Sequence, residues 1–355
     1  MPIPFEIFLI DNPTGNHVIA LAKRGADTAI EHLPIDSSLV AIRKKGIDIG
    51  EALKGNGSLI TAGEVRQLGI DIFNYLFRGD LRALYDQLPQ DPVSLQILSN
   101  RPQIKEVPWE YLLTPDRMIA PTRDRGVVRI LPTCGIKNKS LRKVANVKVL
   151  FVSADPVDQV GVDWREVESV MSRVFQGQMP ANVTIDVIEG ATRTSLITAI
   201  ASKTFDVFHF FGHGDVIDGV GHLVLQDVKT KKSDFLSAED LAIALSGKDV
   251  KLAILSACLT GAGLHTTDFG IVATSLIRAR IPAVVANQYP IPIKAISPFV
   301  GSVYTSLLAR GNIDMAVADG RAVLSVGLPG GTAGKVEWGI PTLHRLADAQ
   351  QLFEV

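Results

Sequence analysis

FDVFHFFGHG (residues 205–214) and VKLAILSACLTG (residues 250–261) decide the reading of this chain. Each is a short, nearly continuous apolar run that stops at glycine. Such runs belong to strands buried on both faces, as in a parallel sheet covered by helices. Their surroundings read the same way. KVLFVSAD (148–155), VTIDVIEG (183–190), GHLVLQD (221–227) and AVVANQYP (283–290) are further strand-like runs. DWREVESVMSRVF (163–175), SLITAIASK (195–203) and ATSLIRAR (273–280) carry helical spacing, as does LAIAL (241–245) behind its cap Ser237. FVGSVYTSLLARG (299–311) and MAVADGRAVLSV (315–326) add two helices. Strands alternating with helices predict an α/β fold with a mostly parallel central sheet flanked by helices.

An N-terminal α+β region is expected ahead of this unit. Residues 1–60 read as a β-rich entry region, in which HVIALA (17–22) and SSLVAI (37–42) are short apolar runs between turns. Thr61-Ala62-Gly63-Glu64 is a capping box. It opens a helix with Val65, Leu68, Ile72, Phe73 and Leu76 at helical spacing. A second helix is expected from Leu81 to Leu88, stopped by Pro89 and Pro92. VPWEYLLTPDRMIAPTRDRGVVRILP (107–132) reads as extended segments, with turns at Thr114-Pro115-Asp116 and near Gly126. The Lys-rich GIKNKSLRKVANV (135–147) marks a boundary near residue 140. The chain therefore divides into 1–60, 61–140 and 145–355.

Composition excludes several functions. The chain has 355 residues, 46% hydrophobic and 21% charged, with a net charge of −1. That balance leaves no electrostatic footprint for nucleic acid or an anionic membrane. Two distant cysteines, Cys134 and Cys258, do not form a secreted disulfide framework. The opening MPIPFEIFLI lacks the cationic start of a signal peptide. No run reaches the roughly 18–20 apolar residues of a spanning helix. A cytoplasmic protein without membrane or nucleic-acid partners is expected.

Ligands of open α/β sheets gather at the carboxyl ends of the strands. There the two deciding strands present His213 and Cys258. If the strands are parallel neighbours, both tips meet on one edge. A thiol needs a base to become a nucleophile, and an imidazole can supply it and then protonate a leaving amine. Gly212 and Gly214 allow a tight turn and close backbone approach. The N–H groups of Gly214 and Cys258 are candidate oxyanion donors. Alone, a strand cysteine is usually a core residue and a strand-end histidine is usually structural. Together at glycine-flanked tips they read as a site. His209 falls on the same strand face as His213 and reads as a packed residue. His209, His213, Asp215, His222 and His265 match no H-E-x-x-H spacing, and a metal site would leave Cys258 without a role. Cys134 reads as incidental, Trp109 and Trp338 as packing residues, and Asp268 as a loop carboxylate. Lys229–Lys232 reads as an exposed turn or a processing site.

FDVFHFFGHG resembles the histidine motif of the CHAT family of caspase-like cysteine peptidases, and LAILSACLTGAG its cysteine motif. VPWEYLLTPD is similar to the family's P-W-E-x-L segment, and the helix near Gly69 to Phe77 and the closing WGIPTLHRL also fit. The resemblance spans roughly residues 60–345. It implies a caspase-hemoglobinase fold over 145–355 and a His213–Cys258 dyad that hydrolyses peptide bonds in protein substrates without metal or organic cofactor. It further implies a substrate pocket near Asp155, Ser256 and Asn287-Gln288, with Asp155 favouring a basic side chain. Family roles lie in bacterial defence and regulated cell death. Gln288-Tyr289-Pro290-Ile291-Pro292 departs from the Trp and Asp-containing segment of many relatives, which bears on the pocket rim. No tetratricopeptide array is present, so the expected activator or sensor is a separate protein or the region before residue 60. A catalytically silent scaffold and a metal-dependent hydrolase remain as alternatives.

Overall fold

Three N-terminal strands, β1 (Ile3–Asp11), β2 (His17–Arg24) and β3 (Asp27–Pro34), form an antiparallel meander. The computed structural model describes residues 2–12, 15–55, 59–88, 92–99, 101–114, 125–131, 142–143, 147–161, 164–177, 183–259, 270–326 and 336–355. Next comes helix α1 (Ser37–Leu53), where the sequence suggested a short strand. The Asp36 carboxylate accepts from the amides of Ser38 (2.9 Å) and Leu39 (3.4 Å) and so caps the helix. Leu39, Ile42, Gly46, Ile49 and Gly50 then fall on one buried stripe at helical spacing.

Helix α2 (Ala62–Leu76) starts at the expected capping box: Thr61 Oγ1 accepts from Glu64 N, and Glu64 accepts from Thr61 N. Helix α3 (Gly79–Asp86) follows, then β4 (Val93–Ser99), a single turn α4 (Pro102–Lys105), a 3-10 turn at Trp109–Tyr111 and β5 (Arg125–Ile130). Gly126, expected near a turn, lies inside β5, where it pairs with Ser94 of β4. Of the Lys-rich stretch, only β6 (Arg142–Lys143) and Val147 are described. Pro115 and Asp116 lie outside the described residues.

The second half alternates as expected. Its elements are β7 (Lys148–Ser153), α5 (Trp164–Gly177), β8 (Thr184–Ile188), α6 (Arg193–Ser202) and β9 (Val207–Ile217). The β10 (Val220–Gln226) and β11 (Ser233–Ser237) hairpin precedes α7 (Ala238–Leu245), β12 (Leu252–Leu259), α8 (Gly270–Arg278) and β13 (Ala283–Asn287). Helices α9 (Ile293–Arg310) and α10 (Ile313–Val326), then β14 (Pro341–Arg345) and β15 (Phe353–Glu354), complete the fold.

All described strands except β6 and β15, which pair with each other, join one 13-stranded sheet. Its path runs β11-β10-β9-β12-β13-β14-β5-β4-β1-β2-β3, with β7 and β8 branching from β9. The centre is mostly parallel: β7, β9, β12 and β13 run together, as do β14, β5, β4 and β1. Strands β7 and β13 are buried on both faces because helices cover both. Tyr304 of α9 reaches His209 on one face, and Val272 of α8 packs on Gly221 on the other. The sheet is continuous across the three segments read from sequence.

Candidate active site at the tips of two parallel strands

The β9–β12 ladder extends from Val207/Leu252 to Gly214/Leu259, and Cys258 is the register partner of His213. Their backbones thus stand side by side at the carboxyl end of the sheet. The other edge of β9 changes neighbour at this point. Strand β7 pairs with it as far as Ser153↔Phe211, and β10 takes over from Val224↔His213. The chain after β7 peels away, leaving a fork between a parallel and an antiparallel partner. Gly212 sits in the fork, where a Cβ would stand 2.7 Å from the carbonyl oxygen of Ala154. No larger residue fits without moving backbone.

His213 lies just beyond the fork and is almost fully buried, at 3% exposure. Its Nε2 is 2.8 Å from the carbonyl oxygen of Val160. A carbonyl only accepts, so Nε2 carries a proton, and in the neutral ring the lone pair is then on Nδ1. Nδ1 is buried and has no hydrogen-bond partner among the described residues. An unsatisfied buried acceptor costs about 1–3 kcal/mol, which makes its presence informative.

The loop bearing Val160 is latched to the β10–β11 turn. Val157 N donates to Lys231 O (3.0 Å), and Asp158 Oδ1 accepts from Ser233 N (2.8 Å) and Ser233 Oγ (2.9 Å). The turn is closed by Asp227, whose Oδ1 accepts from the amides of Lys229 (3.0 Å) and Thr230 (2.7 Å). The Lys229–Lys232 stretch is therefore an exposed, hydrogen-bonded turn that braces the loop over His213. Asp155 opens this loop half-buried, with Gln226 Nε2 donating to its carbonyl (2.7 Å).

His209 lies fully buried beneath. Its Nε2 is 2.9 Å from Ser256 Oγ, its Nδ1 is 3.2 Å from Tyr304 Oη, and its ring meets Phe151 edge-on at 5.1 Å. Burial pushes its pKa down to about 3, so at neutral pH it is an uncharged packing residue. Ser256, two residues before Cys258, is turned toward this histidine.

Strand alternation separates Asn287 from Gln288. The register puts Asn287 on the face of Val285, Ile254 and Ser256. Its Nδ2 reaches the carbonyl of Ala257 at 3.4 Å. Gln288 goes to the opposite face, into a buried polar network. Its Nε2 donates to Gly339 O (2.6 Å) and Glu110 Oε2 (3.1 Å), and its Oε1 accepts from Arg129 Nη2 (3.2 Å). The structure thus gathers His213, Ser256 and Asn287 on one face of the strand tips, with Asp155 on the adjoining loop. Gln288 is committed elsewhere. The side chain of Cys258, and all of Cys134, His265 and Asp268, lie outside the described residues. Trp109 donates Nε1–H to Ile104 O (3.0 Å), and Trp338 packs edge-on against Tyr111, so both serve the core.

Two contributors escaped the sequence reading. Val160 acts through its backbone carbonyl, which leaves no mark in residue type. Asn287 was grouped with Gln288, and only the register separates their roles. Among the described residues, no three His, Cys, Asp or Glu side chains gather as metal ligands, and no helix is long and apolar enough to cross a membrane.

The sequence profile of the CHAT domain matches residues 68–326, most of the chain. The chain belongs to the CHAT domain family. No curated protein sequence matches it. The CHAT chain is similar to the crystal structure of the Arg-specific cysteine proteinase gingipain R, with a TM-score of 0.50 and 11% identity over 90% of this chain and 75% of that one. It is also similar to separase in the Saccharomyces cerevisiae separase–securin complex, with a TM-score of 0.58 and 12% identity over 97% of this chain. It spans 30% of that chain. At such identities the likeness shows the fold, and the fold is that of caspase-like cysteine peptidases.

Proposed function

We propose that this CHAT protein is a cysteine endopeptidase with Cys258 as nucleophile and His213 as acid/base. One observation carries the reading: His213 and Cys258 are register partners at the fork of the sheet, with the imidazole Nδ1 buried and without a hydrogen-bond partner among the described residues. In the proposed reaction Nδ1 takes the thiol proton. The thiolate attacks the scissile carbonyl, and the N–H groups of Gly214 and Cys258 receive the developing oxyanion. The imidazolium then protonates the leaving amine, and water releases the acyl group from sulfur. Throughout, the Val160 carbonyl holds Nε2–H and fixes the tautomer.

For the residue before the cut we propose a basic side chain, drawn by Asp155. Support comes from its position two residues after the end of β7, beside the fork, and from the Arg specificity in the name of the similarly folded gingipain R. Ser256 lines the floor of this pocket through its bond to His209. Substrate proteins, a separate activator and a part in bacterial defence or regulated cell death belong to the same proposal, by family resemblance.

A peptide library read with wild type, Cys258→Ala, His213→Ala and Asp155→Asn tests it. Loss of a general acid–base group costs about 10²–10⁴-fold in rate, so His213→Ala should fall by that much and Cys258→Ala should be silent. Asp155→Asn should lose its preference for Arg and Lys. Activity that survives Cys258→Ala and is abolished by chelator would overturn the proposal.

A further inference from the structure

The tip of β12 is held unequally on its two sides. Toward β9 the ladder continues to Leu259↔Gly214, but toward β13 the pairing ends at Ile254↔Val285. Beyond that point a side chain replaces the backbone: buried Asn287 donates from Nδ2 to Ala257 O. The Ala257 carbonyl and the Cys258 N–H belong to one planar peptide unit. The position of Asn287 therefore bears directly on the orientation of that N–H.

What holds Asn287 lies in the next two residues. Gln288 N donates to Ile340 O (3.0 Å), and its side chain is bound as described. Tyr289 lays its ring across α1. A Cβ on Gly46 would stand 3.0 Å from Tyr289 Oη, and one on Gly50 would stand 3.0 Å and 3.2 Å from its Cδ1 and Cε1. The ring also stacks with Tyr111, at 6.5 Å between centroids and 26° between planes. Glycine inside a helix is destabilising, yet α1 carries two, one turn apart, where the ring needs room.

We propose that Tyr289 is a positioning residue. Through it, helix α1 holds the tip of β13, and by way of Asn287 the Ala257–Cys258 peptide, in the geometry the reaction needs. The functional consequence rests on the peptidase reading above; the mechanical coupling does not. The N-terminal region thereby becomes a support of the site rather than an appendage.

The test uses the full chain as wild type, Tyr289→Ala, Tyr289→Phe and Gly50→Leu, the last filling the notch from the helix side. Amide hydrogen exchange is followed over residues 252–259, 283–289 and the distant β1–β3 meander. Peptide turnover is measured in parallel. Misplacing reacting groups by about 1 Å costs up to roughly 10²-fold. Tyr289→Ala and Gly50→Leu should therefore lower kcat by about 10–100-fold with KM changed less than about 3-fold. Both should speed exchange over 252–259 and 283–289 while β1–β3 stays protected, and Tyr289→Phe, which keeps the ring in the notch, should perturb both assays less than Tyr289→Ala. Unchanged exchange over 252–259 in Tyr289→Ala, or exchange that rises equally in β1–β3, would overturn the coupling. If the wild type turns over no peptide, the peptidase reading fails separately and the exchange result alone decides the coupling.

Discussion

Replacing Glu110 by methionine should cost about 3–5 kcal/mol of stability, the price of leaving one buried charge without its partner. Glu110 is the acid of the Pro108-Trp109-Glu110 segment, with 0% of its side chain exposed against 10% for Arg129. The pair is a two-pronged contact: Nε to Oε1 at 2.8 Å and Nη2 to Oε2 at 2.7 Å. Without the carboxylate, the guanidinium keeps, among its hydrogen bonds to described residues, those to Lys105 O (2.8 Å), Val107 O (3.4 Å) and Gln288 Oε1 (3.2 Å). Domain stabilities are only about 5–15 kcal/mol, so this loss is large. Urea unfolding of wild type, Glu110→Met, Arg129→Met and the double variant, followed by tryptophan fluorescence, measures it. Buried pairs replaced whole by apolar groups are often neutral, so the double variant should lose about 2 kcal/mol or more less than the two singles added together. A cost below about 1 kcal/mol for Glu110→Met, or strict additivity in the cycle, would refute the charge-pair account. Acid acts on the same pair. Burial pushes the Glu110 carboxyl up, but the charge and hydrogen bonds of Arg129 outweigh it and hold the carboxyl below its ordinary range. The stabilisation is therefore full above the unfolded value of about 4.3 and lost as pH falls through the lower folded value.

Two histidines predict an earlier acid sensitivity. Burial takes both His209 and His344 down to about 3, against about 6.5 unfolded. Between those values the unfolded chain binds up to two more protons, so stability should fall on acidification by up to about 2.7 kcal/mol per pH unit. Urea midpoints at pH 7, 6 and 5 check this, and a flat profile would refute it. Gly69→Ala sets two effects against each other. Helix propensity alone favours Ala by about 1 kcal/mol. However, a Cβ at Gly69 would overlap the backbone oxygen of Tyr111 and crowd Leu113, so destabilisation by about 1–3 kcal/mol is expected. A raised melting temperature would show that the contact between α2 and the 3-10 turn yields freely.

Much of the second half was legible because its signals are local. Strands such as KVLFVS are apolar on both faces, and parallel neighbours bring their tips to one edge without further information. The capping box at Thr61 also needed only residue types and spacing. What escaped depended on parity, backbone or tertiary room. Helix α1 was hidden because two of its buried positions are glycines, which carry no hydrophobic signal and argue against a helix. Residue type does not distinguish Gln288 from Asn287 as a pocket residue, and nothing in the type of Val160 marks its carbonyl. A shift of one residue moves a side chain to the other face of a sheet, and a carbonyl that orients an imidazole can belong to any residue.

The Pro108-Trp109-Glu110 segment and helix α1 meet in these contacts. Glu110 lies far from Cys258 along the chain, and α1 farther still, yet they end on two adjacent residues, Gln288 and Tyr289. Glu110 and Arg129 hold the side chain of Gln288, and Gly46 and Gly50 seat Tyr289. Just before them, Asn287 faces β12 and donates to Ala257 O. A thiol at a strand tip gains nothing from a correct fold if the peptide beside it can rock. Where the β12–β13 ladder stops short, stiffness has to come from side chains, and those side chains need partners from the rest of the sheet. The N-terminal strands extend the same sheet, and α1 follows directly on them. Strand β3 leads into helix α1, which seats Tyr289, while β5 supplies Arg129, which with Glu110 of the 3-10 turn binds Gln288.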